Sequence, residues 1–191
     1  MIMKTLDATI CAAVCSIFLL LMAPLARSTT LAQLSLRQLA HSAHAIVRAE
    51  AISNVPVWHD GEIWTITTFR IEENWKGQPS REIQVWMIGG HAGRITSYVA
   101  GAPRFHPGEE AILFLEPARN GEISITAWGE GTFRIRRDPR TGESRVTQDS
   151  AAIPEFAPPA NPSHRNAIRN WPLVKFKERV MQSLAEPRGA E

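Results

Sequence analysis

The stretch GEEAILFLEP, residues 108–117, decides the fold, because it is apolar at every position from Ala111 to Leu115. A half-buried strand alternates apolar and polar side chains, whereas an unbroken short apolar run suits a strand covered on both faces. Pro107-Gly108 in front of it is a turn pair, so the stretch reads as a turn feeding a central strand. The two glutamates that open it, Glu109 and Glu110, are adjacent on an extended chain and point to opposite faces, so they do not readily serve one catalytic centre.

Working outward, EIWTITTFRIEENWKG alternates with a period of two. Ile63, Thr65, Thr67, Phe69 and Ile71 share one face, and Trp64, Ile66, Thr68, Arg70 and Glu72 share the other, the pattern of a half-buried strand. REIQVWMIGG repeats it with Ile83, Val85 and Met87 on one face. AIVRAEAISNV reads as a first strand that enters a loop at PVWHDGE, with Asp60-Gly61 as a hairpin turn. EISITAW and GTFRIRR are further strands, and DPRTGE turns the chain into SRVTQ, so the β region ends near Gln148. Ser35 followed by Gln38 is a capping box that predicts a short helix from Leu36 to about His44. At the other end, Leu173, Phe176, Val180 and Leu184 recur at helical spacing behind Pro172, which predicts an amphipathic helix over 172–185.

These elements predict a mainly β fold, a small OB-like, partly open β-barrel of five to six strands with a short N-terminal helix and a C-terminal amphipathic helix. No helix-length segment separates the strands, which argues against a βαβ arrangement. The expected organisation is a signal peptide over 1–28, a barrel domain over 29–150, a Pro-rich tether over 151–171 and the closing helix.

The leader has Lys4 in a short polar start, an apolar run from Ala8 to Ala23, then Pro24 and small residues. That is the layout of a secretory signal, with cleavage expected after Ser28, cleavage after Ala26 as the close alternative and an uncleaved anchor as the other; the protein is expected to be secreted or periplasmic, with no membrane span once the signal is cleaved. Cys11 and Cys15 lie inside the apolar run, so a cleaved chain has no disulfide, thiolate zinc site or cysteine nucleophile. Losing Lys4, Arg27 and Asp7 takes the formal charge from +2 to +1, which is too little basic excess for a nucleic-acid binder. Arg134, Arg136, Arg137 and Arg140 form a local cluster, read as a solvated hairpin rim.

The order AIVRAEA, TITTFRIEENWKG, EIQVWMIGG, GAPRFHPGEEAILFLEP and GEGTFRI resembles a group of uncharacterised exported bacterial proteins. In outline it is similar to the OB-fold barrels of netrin-type modules and tissue inhibitors of metalloproteinases. The resemblance covers roughly residues 35–148 and implies a fold. It implies no protease inhibition by the metalloproteinase-inhibitor route, since that route uses an N-terminal cysteine and its disulfides.

Chemical motifs are sparse. GxSxG, SxxK and HExxH are absent, and GGHAG lacks the Lys and following helix of a phosphate loop; no cofactor is implied. His41 and His44 share a helix face but have no third ligand at diagnostic spacing. His91, His106 and Glu109 form a metal-ligand set if the long glycine-rich loop folds His91 toward the turn, and they define an alternative metal-dependent hydrolase. Trp64, Trp86 and Trp128 fall opposite the core positions of their strands. The expected function is therefore a non-catalytic binding module of the cell envelope, with those tryptophans as a ligand face for an envelope protein or a glycan. Its expected rim is the loop from Gly89 to Pro103, which carries His91 and Arg94. A third reading, an inhibitor of an extracellular protease, rests on fold likeness alone.

Overall fold

The computed structural model describes residues 34–118, 121–152 and 167–187. The expected signal peptide, and the greater part of the tether, lie outside these residues. Helix α1 (Leu36–Ser42) starts at the expected capping box, in which Ser35 Oγ accepts from the Gln38 backbone N–H and the Ser35 N–H donates to Gln38 Oε1. Strands β1 (Ala45–His59) and β2 (Glu62–Lys76) form a long antiparallel hairpin. The sequence reading stops β1 before Pro56, but the strand runs on to His59. Asp60 and Gly61, with φ of 50° and 81°, make the left-handed two-residue turn that keeps the ladder in register to the His59–Glu62 pair. Pro56 lies beyond the part of β1 that has partners on both sides, where a missing N–H is tolerated.

Strand β3 (Glu82–Ile88) pairs with β2, and the glycine-rich stretch after it holds a small hairpin of β4 (Gly90–Ala92) and β5 (Ile95–Ser97). Strand β6 (Glu110–Pro117) follows, then β7 (Ile123–Ile125), β8 (Thr132–Arg137), β9 (Ser144–Gln148) and the single turn α2 (Asp149–Ala152). The chain closes with β10 (Trp171–Pro172), which adds to β9, and α3 (Leu173–Ala185). Sequence analysis carries the β7 strand on to Trp128. The structure ends it at Ile125, and Ala127 and Trp128 adopt left-handed backbone in a turn.

Five strands close into a ring in the order β1-β2-β3-β7-β6 and back to β1. All the contacts of this ring are antiparallel except the one between β3 and β7, at Val85 and Ile123. This is a partly open, OB-like barrel rather than a fully closed one. Strand β6 is also the branch point. One of its edges pairs with β1, while the other is shared between β8 at Ala111–Leu113 and β7 at Leu115–Pro117. Strands β8, β9 and β10 continue from that branch outside the ring.

The branch explains the apolar run. Ala111, Leu113 and Leu115 face the ring interior with Val47, Ala49, Phe69, Val85 and Ile125. Ile112 and Phe114 face a second core with Ile46, Phe133, Val146, Trp75 and the helix residues Leu39, Phe176 and Val180. Phe114, Phe133 and Phe176 stack in sequence, with ring centroids 5.3 Å and 4.7 Å apart. Both helices are thus committed to the outer side of β1, β6 and β8.

The end of β2 is built to receive α1. Register shifts along the hairpin between Arg48 and Ala49, and between Ile46 and Val47, turn Trp75 out of the barrel and into the helix-side core. Lys76 Nζ donates to the carbonyl oxygens of Ala40, His41 and Ala43, the orphan acceptors at the end of α1. Gly77, at φ 76°, lets the backbone pass so close that a Cβ would lie 2.9 Å from the His44 carbonyl oxygen. Truncating the shared aromatic, Phe114→Ala, is expected to cost about 3–5 kcal/mol by removing a fully buried ring. Chemical denaturation checks this, with Val174→Ala on the exposed side of α3 as a near-neutral comparison.

Candidate ligand-binding face

The outward face of β1, β2 and β3 carries two apolar rows. Val55, Ile66 and Trp86 sit side by side in the ladder, and Val57, Trp64 and Ile88 form the next row on the same face. The alternate residues Thr67, Phe69, Val85 and Met87 turn into the barrel, so the two rows are what the period-two geometry leaves outside. Val55 is 52% exposed, and the other five side chains are half-buried. His59 closes the top of the face, its ring edge-on to Trp64 at 6.4 Å and to Trp86 at 5.8 Å between centroids. The indole N–H of Trp64 is buried without an acceptor among the described residues.

Trp64 and Trp86 are therefore brought together as the sequence suggests, whereas Trp128 is not part of this face. It sits in the turn after β7 beside Gly101, where a Cβ would lie 4.0 Å from the indole. The glycine-rich loop does not rim the face either. Thr65 Oγ1 donates to the Gly89 carbonyl at 2.7 Å, and a Cβ on Gly90 would collide with that hydroxyl, so the β4–β5 hairpin starts over the Thr65 side of β2. Arg94 is exposed in the β4–β5 turn, and His91 Nδ1 pairs with Thr96 Oγ1 at 2.8 Å.

The metal alternative is only half assembled. His106 Nδ1 lies 3.2 Å from Glu109 Oε1, while His91 is occupied within its own hairpin. Among the described residues, no three His, Cys, Asp or Glu side chains are grouped to hold a metal ion. Glu109 instead accepts from Arg134 at 2.6 Å and from the His106 backbone N–H at 3.0 Å.

Arg134 corrects a second expectation, because it is not part of a solvated rim. Its side chain is 16% exposed, it pairs with Asp149 through Nε and Nη2, it reaches the Arg104 carbonyl, and its guanidinium lies 4.2 Å from the Phe105 ring centroid. The reason is that β8 pairs with β6 at Ala111 and Arg134, which carries the residue under the Phe105 loop. Arg136, Arg137 and Arg140 remain exposed or half-exposed on the hairpin.

Glu110 takes the other direction, as alternation requires. Arg48 donates to Glu110 at 2.8 Å and to Glu73 at 2.9 Å, and Glu73 also accepts from Lys177 and from the Trp75 indole. This chain of contacts is not legible from alternation, because the bulges that re-aim Glu73 break the simple period of β2. Val57 and His59 lie beyond the predicted end of β1, and Val55, inside the predicted strand, is placed on the face only by the hairpin register. The Asp60-Gly61 turn was the available signal: extending the ladder back from it places Val57 opposite Trp64.

No protein-family model matches the chain, and no curated protein matches its sequence. No described helix is long and apolar enough to cross a membrane.

The Glu73 cluster sets a pH dependence. The hydrogen bond from Lys177, joined by those from Trp75 and Arg48, holds the Glu73 carboxyl down at about 2 against an ordinary 4.5. A carboxylate depressed in the folded state stabilises the fold above its unfolded pKa and loses that contribution as pH falls through the folded one. Stability should thus decline between about pH 4.5 and pH 2, and Glu73→Gln should flatten that part of the profile. Denaturant melts across this range measure it.

Proposed function

We propose that the protein is an exported, non-catalytic binding module of the bacterial cell envelope, and that it holds a protein partner on the outward face of β1, β2 and β3. The leader composition of residues 1–28 and the likeness of the motif order to uncharacterised exported bacterial proteins support export.

One observation carries the binding reading. Six apolar side chains, two of them tryptophans, lie contiguous on the sheet face opposite the barrel core, while α1 and α3 pack on the other side of the ring. Exposed apolar area of this kind marks interaction sites more often than ordinary surface. Flat tryptophans flanked by β-branched residues are also the anchors that dominate protein interfaces. The predominance of aliphatic side chains fits a protein surface better than a hydrated polymer.

Affinity capture from an envelope extract with the chain from residue 29 tests this. Trp64→Ala should lower affinity for the captured partner by about thirtyfold, the effect of losing one interface anchor of roughly 2 kcal/mol. Val174→Ala, on the exposed surface of α3, should leave it unchanged. Equal capture by wild type and Trp64→Ala, with both proteins folded, would remove the face from the account.

A further inference from the structure

The same sheet carries a second, chemically different surface at its lower end. A groove of about 620 Å³ runs along the seam where β3 meets β7, between the β2–β3 loop and the end of β6. Its volume lies in the range of small-molecule sites. Trp86 forms part of its wall, and Gln78, Ser80, Glu82, Gln84 and Glu116 line it.

Seam geometry creates the groove. Strand β7 meets β3 at a single parallel position, Val85 with Ile123, so the β7-side edge of β3 has no continuous partner strand among the described residues. Gln84 and Glu82 project from β3 on the same face as Trp86.

Five polar groups of the lining are uncommitted. Gln78, Ser80, Glu82 and Gln84 are exposed and Glu116 is half-buried, and none makes a side-chain hydrogen bond to another described residue. This contrasts with the opposite side of the barrel, where Arg48, Glu73, Glu109, Glu110 and Arg134 are all paired. The groove thus offers two carboxamides that each donate and accept, a hydroxyl, two carboxylate acceptors and a flat indole. Among the described lining residues there is no lysine or arginine.

We infer that this groove binds a neutral saccharide chain bearing acetamido groups. The apolar C–H face of a sugar ring packs on the Trp86 indole. Ring hydroxyls donate to Glu82 and Glu116, and a carboxamide of Gln78 or Gln84 pairs with an acetamido group, since each is both donor and acceptor. OB-like barrels have the curvature for such extended ligands. This inference does not depend on the apolar face, and only Trp86 is common to the two.

Titrating the full chain with chitohexaose, followed by tryptophan fluorescence and calorimetry, tests the inference without any protein partner. Saturable binding is expected, tenfold or more weaker for Gln84→Ala and for Trp86→Ala. Gln84 is exposed, so its variant should melt like the wild type, and Val174→Ala should bind normally. Cellohexaose, which lacks the acetamido groups, should bind more weakly than chitohexaose. No saturation by roughly 10 mM, a limit of about 3 kcal/mol of binding, would overturn the inference. Chitohexaose binding unchanged in Gln84→Ala, or binding of hexalysine alone, would overturn it as well.

Discussion

The structure depends on the burial of β6 from both sides at once. Ala111, Leu113 and Leu115 complete the ring interior, while Ile112 and Phe114 anchor the layer formed by α1, α3 and the outer strands. A strand used in this way leaves no polar positions between its flanking glutamates. It also fixes where the helices lie, because the apolar stripes of α1 and α3 are satisfied by Ile112, Phe114 and Phe133. Among the described residues, no helix then covers the outward face of β1, β2 and β3.

Charge is placed around that strand rather than at a reaction centre. Glu109, just before β6, and Glu110, its first residue, point in opposite directions, one to Arg134 and the other to Arg48. Arg134 joins β8 to the Phe105 loop and to α2, and Arg48 with Glu73 and Lys177 joins the barrel to α3. Partly exposed pairs of this sort contribute little energy one by one. Their value lies in register, since each spans elements distant in sequence. Lys76 and Gly77 act in the same way at the other end, capping α1 and allowing the close approach of its exit.

Much of this was legible in the sequence because the signals were local. The unbroken apolar run predicted a doubly covered strand, the Ser35–Gln38 box predicted α1, and the spacing of Phe176 and Val180 predicted α3. What escaped was non-local. The length of β1 depends on its partner strand, and the bulges opposite Ile46 and Arg48 decide that Trp75 and Glu73 face the helices. Trp128 was assigned to a strand that ends three residues before it. The candidate face was half read: alternation gave Trp64 and Trp86, while Val55, Val57 and His59 required the hairpin register.

The seam groove follows from the single β3–β7 contact, and the sheet face that no described helix covers follows from the commitment of α1 and α3 to β6. Amide hydrogen exchange tests that commitment most directly. If β6 is the element shared by both cores, the amides of Ala111–Leu115 and their partners in Ala45–Ala49 should exchange only through global unfolding. The outer part of β1, from Val55 to His59, which pairs with β2 alone among the described strands, should open at lower free energy. Exchange from Ala111–Leu115 as fast as from the Arg137–Ser144 end of the β8–β9 hairpin would contradict the account.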